Sequence, residues 1–97
     1  MTYKEQEKLI KYLMDRYVYL KMSTNLLYCC MESDLVMMID FTINRLDEES
    51  RRIINYDFIN KKHKYWWNEY YSRTTYYRLK NKAMSQFINC LHNGKMI

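Results

Sequence analysis

Proline is absent from this 97-residue sequence, and glycine occurs once, as Gly94 near the C-terminus. Tight hairpin turns need residues that take positive φ at no cost, and a strand-rich domain needs several of them. Helices ended by Asn, Asp and Ser do not. Cysteine is scarce and odd in number: Cys29, Cys30 and Cys90, with no pair at CxxC spacing. That pattern argues against a disulfide framework and points to a reduced, cytoplasmic protein whose thiols act as small apolar groups. No apolar run approaches a membrane span. The N-terminus, MTYKEQEKL, is polar and charged, so neither a secretory leader nor a membrane partner is expected.

Signals for catalysis are equally sparse. The two histidines, His63 and His92, are far apart and have no metal-ligand spacing to each other or to a cysteine pair. There is no glycine-rich phosphate loop and no specific Ser/His/Asp or Cys/His set. Most carboxylates fall at expected helix starts, where capping and the helix dipole account for them. The expectation is a protein that is not an enzyme, with no catalytic residue, metal or cofactor.

What is present is apolar, aromatic and basic. Hydrophobic residues make up 48% of the chain, enough for the core of one domain covering residues 1–97. Aromatics make up 16%, and 11 of them are tyrosines, whose apolar rings and polar tips suit boundaries and interfaces. Abundant Lys, Asn, Ile and Tyr also follow from an A+T-rich coding sequence, as in low-GC bacteria or their phages. The net charge of +5 is unevenly spread. Residues 1–50 carry six cations against nine carboxylates, a net of −3, whereas residues 51–97 carry ten cations against Asp57 and Glu69, a net of +8. A basic half beside an acidic half suits a polyanionic partner on one face.

The apolar periodicity predicts an all-α fold, a small bundle of about five helices. Tyr3 to about Met22 forms the first, with Thr2 and Glu5 as a capping box and a stripe of Leu9, Ile10, Leu13, Met14, Tyr17, Val18 and Leu20. Ser23-Thr24-Asn25 is a break. LLYCCM, residues 26–31, is either a short helix or a continuation of the first. Ser33 is expected to cap a helix from Asp34 to about Arg45 that is apolar on more than one side, and therefore central and most buried. Asp47 caps the next, which runs to about Asn60 with Glu48 and Glu49 in its first turn. Arg51 and Arg52 open that helix, facing either a backbone or Glu48. Lys61, Lys62, His63 and Lys64 form a basic connector, Tyr65 to Glu69 a further helix and Tyr70-Tyr71 a turn. Ser72 caps the last helix, which ends near Leu91. There Tyr76, Leu79, Ala83, Phe87 and Leu91 share one face, while Arg73, Thr74, Tyr77, Arg78, Lys80, Asn81 and Lys82 occupy the other. Four cations and no carboxylate stand between Arg73 and Lys82.

SRTTYYRLKNKAMSQF resembles the recognition helix in the C-terminal DNA-binding region of bacterial sigma factors. It is more similar still to that of small phage regulators of late transcription, in which Tyr-Ser-Arg-Ser/Thr-Thr-x-x-Arg opens the helix. LDEESRRII, from Leu46 to Ile54, is similar to the family's preceding helix, Leu-x-x-x-x-Arg followed by two apolar residues. The resemblance implies a C-terminal helix-turn-helix over residues 47–92, with residues 1–46 forming N-terminal helices that complete the core or mediate a homodimer. It implies double-stranded DNA as partner, with RNA polymerase as a second. Helix-turn-helix docking places Arg73, Thr74, Tyr77, Arg78 and Asn81 against base edges. Lys61, Lys62, Lys64, Lys80 and Lys82 fall where phosphates pass. The alternative is an interaction module of the same fold that binds a protein through its Tyr/Trp-rich surface. A third reading is a single-strand binder that stacks bases on tyrosines beside lysines. The chain departs from the family pattern at the turn, where Tyr70 stands in place of a glycine and Trp66 and Trp67 in place of smaller residues. A longer or differently shaped turn is therefore expected.

Overall fold

Thr2 and Glu5 start the first helix by bonding each other's backbone. The Thr2 amide donates to Glu5 Oε1 at 2.8 Å and the Glu5 amide to Thr2 Oγ1 at 3.2 Å. The Thr2 amide thereby holds the Glu5 carboxyl below its usual range. The structure, a computed structural model, describes residues 2–22 and 30–95. Helix α1 spans Tyr3–Met22, α2 Cys30–Asn44, α3 Glu48–Ile54 and α4 Arg73–Lys95. Among the described residues there is no strand, and no helix is long and apolar enough to cross a membrane. The fold is thus a small helical bundle, with four α-helices and shorter turns among the described residues. The expected break at residues 23–25 and most of LLYCCM lie outside the described residues.

Helix α2 departs from expectation in two ways. It begins at Cys30, so Ser33 lies inside it rather than at its cap. It is also not the central helix. Ile39 and Thr42 are buried, but Met37 and Phe41 are exposed. The central position belongs to α4, which packs against α1, α2 and α3. Its inward face is Tyr76, Lys80, Ala83, Met84, Phe87 and Leu91, with Leu79 half-buried at the edge. Ala83 gives neighbouring backbones room to approach there. The apolar character of α2 thus overstated its burial.

Two caps link α2, α3 and α4. The amides of Arg45 and Leu46 donate to the carbonyls of Thr42 and Ile43, tightening the end of α2. Asp47 then caps α3, accepting from the Ser50 amide at 2.8 Å. That bond, helped by the charge of Lys82, holds the Asp47 carboxyl below its usual range. The buried Ser50 hydroxyl donates to Gln86 Oε1 at 3.1 Å and ties α3 to α4. Arg51 Nη2 donates to the Leu46 carbonyl at 3.4 Å, and the Arg52 guanidinium lies 5.5 Å from the Tyr70 ring centre.

Helix α3 widens into a π-helical turn, Asn55–Ile59, closed by the Asn60 amide donating to the Asn55 carbonyl at 2.8 Å. Residues 61–63 are non-helical, as expected of the basic connector. The helix expected over Tyr65 to Glu69 is a single 3-10 turn, Trp66–Glu69. Tyr70 ends it at φ −110°, ψ −32°, a conformation open to any L-residue, so this turn does not need the glycine that the family pattern places there. The Ser72 hydroxyl accepts from the Thr75 amide at 3.2 Å and caps α4.

Candidate nucleic-acid interface

Asp57 is the only carboxylate besides Glu69 in the basic half of the chain, and it lies beneath the start of α4. Trp66 Nε1 donates to its Oδ1 at 2.8 Å, the Tyr76 hydroxyl donates to its Oδ2, and Lys80 Nζ lies 3.6 Å from that oxygen. Lys80 also donates to Glu7 Oε2 of α1 at 2.8 Å. Burial works against the charge on Lys80, but the Glu7 bond and the nearby Asp57 outweigh it and raise the pKa. Burial, with Asp57 as acceptor, also pushes the Tyr76 hydroxyl well above the ordinary tyrosine range.

Aromatic rings roof this network. Trp67 stacks on Tyr76 with centroids 4.6 Å apart and planes 9° apart, while Trp66 meets Tyr76 edge-on at 6.0 Å and Tyr56 at 4.9 Å. Both tryptophans therefore pack against Tyr76 near the start of α4. The Tyr/Trp-rich surface is consequently a tyrosine surface, because Trp67 is buried and Trp66 half-buried.

The structure divides the ten candidate site residues. Arg73, Thr74, Arg78, Asn81 and Lys82 are exposed along α4. Among the described residues neither Arg73 nor Arg78 has an ion-pair partner, whereas Lys82 stands 3.9 Å from Asp47. Lys61, Lys62, Lys64, Tyr77 and Lys80 instead line a cleft of about 720 Å³ between α1, the connector and α4. Lys61 is paired with Asp15 at 3.2 Å. Lys62 Nζ lies 5.3 Å from the Tyr56 ring centre and Lys64 Nζ 5.5 Å from that of Tyr65. Tyr77 meets Tyr76 edge-on at 4.9 Å and stands 6.4 Å from the Tyr3 ring of α1.

Lys80 corrects the expectation directly. It is only 8% exposed, and its ammonium is spent on Glu7 and Asp57, so it is an internal clamp and not a phosphate contact. Its position four residues after Tyr76 and three before Ala83 puts it on the inward stripe, a signal present in the sequence. Glu7 and Asp57, the acceptors that make its burial possible, had no comparable local signal. Their partners are 73 and 23 residues away.

The exposed strip of α4 runs between two helices. On one side Gln6 Nε2 of α1 donates to Ser85 Oγ at 3.3 Å, and on the other Ser50 of α3 bonds Gln86. These bonds anchor α4 one turn beyond the strip. Compared with known proteins, the chain matches no family model, no curated protein and no solved structure.

Proposed function

We propose that the protein is a DNA-binding regulator of transcription that lays α4 in the major groove of duplex DNA. The observation that carries this reading is the exposed, carboxylate-free strip Arg73, Thr74, Arg78, Asn81 and Lys82, whose two arginines have no ion-pair partner among the described residues. Arginine grips guanine O6 and N7 with two bonds, and asparagine does the same for adenine N6 and N7. Ser72 caps the helix, and free first-turn amides suit a phosphate there. Helix α3 is the supporting helix in this reading. The sigma-factor resemblance of SRTTYYRLKN supports it independently of the geometry. A homodimer would use the exposed faces of the N-terminal helices, where Tyr12, Tyr19, Met37 and Phe41 stand in water, and would match a two-fold site.

The second reading is an interaction module whose partner, RNA polymerase by the resemblance, meets the exposed rings of Tyr65, Tyr70 and Tyr77. Salt separates the two. Groove binding with about four phosphate contacts weakens on the order of 100-fold between about 50 and 200 mM salt, whereas a tyrosine interface changes little. Binding to random-sequence duplex DNA is measured by fluorescence anisotropy at both salts. The expected result is steep salt dependence and loss of binding in Arg73→Ala/Arg78→Ala. No binding at the lower salt contradicts the proposal and makes the tyrosine surface the lead.

A further inference from the structure

The cleft beside α4 holds a second set of nucleic-acid chemistry. Six lysines line it against two carboxylates, Glu7 and Asp57. Those two carboxylates are engaged with Lys80 at its floor, so the remaining cations are left to the walls. Lys8 and Lys11 come from α1 on one wall, Lys62 and Lys64 from the connector on the other. Among the described residues none of these four is in an ion pair. Two exposed aromatic rings line the same cleft. Tyr65 is 54% exposed and Tyr77 43% exposed, and each stands against the buried Trp67, at 6.1 and 6.4 Å.

We propose that this cleft binds a single strand of nucleic acid, with bases on Tyr65 and Tyr77 and phosphates on Lys8, Lys11, Lys62 and Lys64. Unpaired cations and exposed rings lining one cleft match what a strand displays, a charged backbone beside bases with free faces. A duplex keeps its base faces stacked inside and offers these rings nothing. A free mononucleotide is usually held in a pocket that covers most of its surface, whereas these tyrosines stand half in solvent. Contact of both rings with Trp67 restricts their motion, which lowers the entropy lost when a base stacks. The inference does not rest on the duplex reading, because it uses none of Arg73, Thr74, Arg78, Asn81 and Lys82.

The test is anisotropy of a labelled oligothymidylate of about 12 nucleotides, a length within the usual site size of single-strand binders. A labelled duplex and unlabelled adenosine monophosphate run beside it. Tyr65→Ala is expected to weaken strand binding roughly 5- to 100-fold, and Tyr65→Phe to preserve it, since stacking needs the ring and not the hydroxyl. Lys62→Ala/Lys64→Ala is expected to flatten the salt slope by about 1.4, two contacts at 0.7 each. Arg73→Ala/Arg78→Ala is expected to leave strand binding intact while duplex binding falls, which separates the two sites. All substituted side chains are exposed, so folding, checked by circular dichroism, is expected to be retained. The proposal is overturned if the strand does not bind at low salt, if Tyr65→Ala binds it as well as wild type, or if only the arginine variant loses it. Competition by adenosine monophosphate at the strand's own affinity also overturns it, by making the cleft a mononucleotide pocket.

Discussion

Lys80 carries a charge into the protein because two carboxylates meet it there, Glu7 from α1 and Asp57 from the π-helical turn. Removing one partner from such a group leaves the others uncompensated, so Lys80→Met is expected to cost roughly 2–4 kcal/mol, read as a lower thermal midpoint. The raised pKa has a definite sign. Its contribution is complete below the unfolded lysine value of about 10.4 and is lost as pH rises through the higher folded value. The wild type should therefore lose stability in strong alkali by more than the Lys80→Met variant does, in denaturant titrations at neutral and high pH. Equal losses would mean that the clamp is not formed. Tyr76→Phe removes a donor to Asp57 and keeps the ring on Trp67, and about 1–2 kcal/mol is expected. This network was only partly legible in the sequence. The spacing of Lys80 to Tyr76 and Ala83 points inward, but a lysine among apolar residues reads as exposed until its acceptors are known, and sequence therefore put it on the outer face. Those acceptors come from distant parts of the chain.

At the scale of elements, caps were the most legible feature. Thr2 with Glu5, Asp47 with Ser50, and Ser72 with Thr75 all bond as their local patterns require. A cap is decided within one turn of chain, so these three are legible in sequence, whereas Ser33 has a cap's residue type and lies inside α2. Asp47→Ala is expected to cost about 1 kcal/mol at neutral pH. Because the folded carboxyl is held low, its charge-dependent part is present above the unfolded value of about 3.9 and fades as pH falls through the folded one. The gap between wild type and variant should narrow in acid. A gap independent of pH would show that the carboxylate charge contributes nothing. The connector was less legible. WWNEYY looks helical by composition, yet it forms one 3-10 turn, held by Trp66 bonding Asp57 and Trp67 stacking on Tyr76. Tertiary contacts, not propensity, set its shape. Tyr70 ends this turn at negative φ, so Tyr70→Gly is expected to destabilise by about 0.5–1 kcal/mol through unfolded-state entropy. A gain in stability would show a left-handed turn there. Helix α2 is less buried than its composition suggests for a related reason, since an apolar composition does not say which faces find partners.

At the scale of the whole molecule, the uneven charge is partly cancelled by the fold. Glu7, Asp15 and Asp47 of the acidic half reach across to Lys80, Lys61 and Lys82 of the basic half. The two outer pairs are solvent-exposed and contribute little to stability. Their effect is to quiet parts of the basic half and leave others open. Arg73 and Arg78 on α4, and Lys62 and Lys64 at the cleft, keep their charge available to a polyanion. Sequence placed all of these residues on one basic surface, because a linear chain does not show that α1 packs beside α4 and walls off the cleft. Exposed arginines on a seated helix should be dispensable for folding, so Arg73→Ala/Arg78→Ala is expected to change stability by less than about 0.5 kcal/mol. A larger loss in chemical denaturation would mean that these side chains belong to the fold.

The most direct test of the central reading is amide chemical-shift mapping of the isotope-labelled protein on titration with duplex DNA. The largest shifts are expected at Arg73, Thr74, Arg78, Asn81 and Lys82, with the Met84, Phe87 and Leu91 face of α4 little changed. Shifts absent altogether, or confined to α1 and α2 away from that strip, would contradict it.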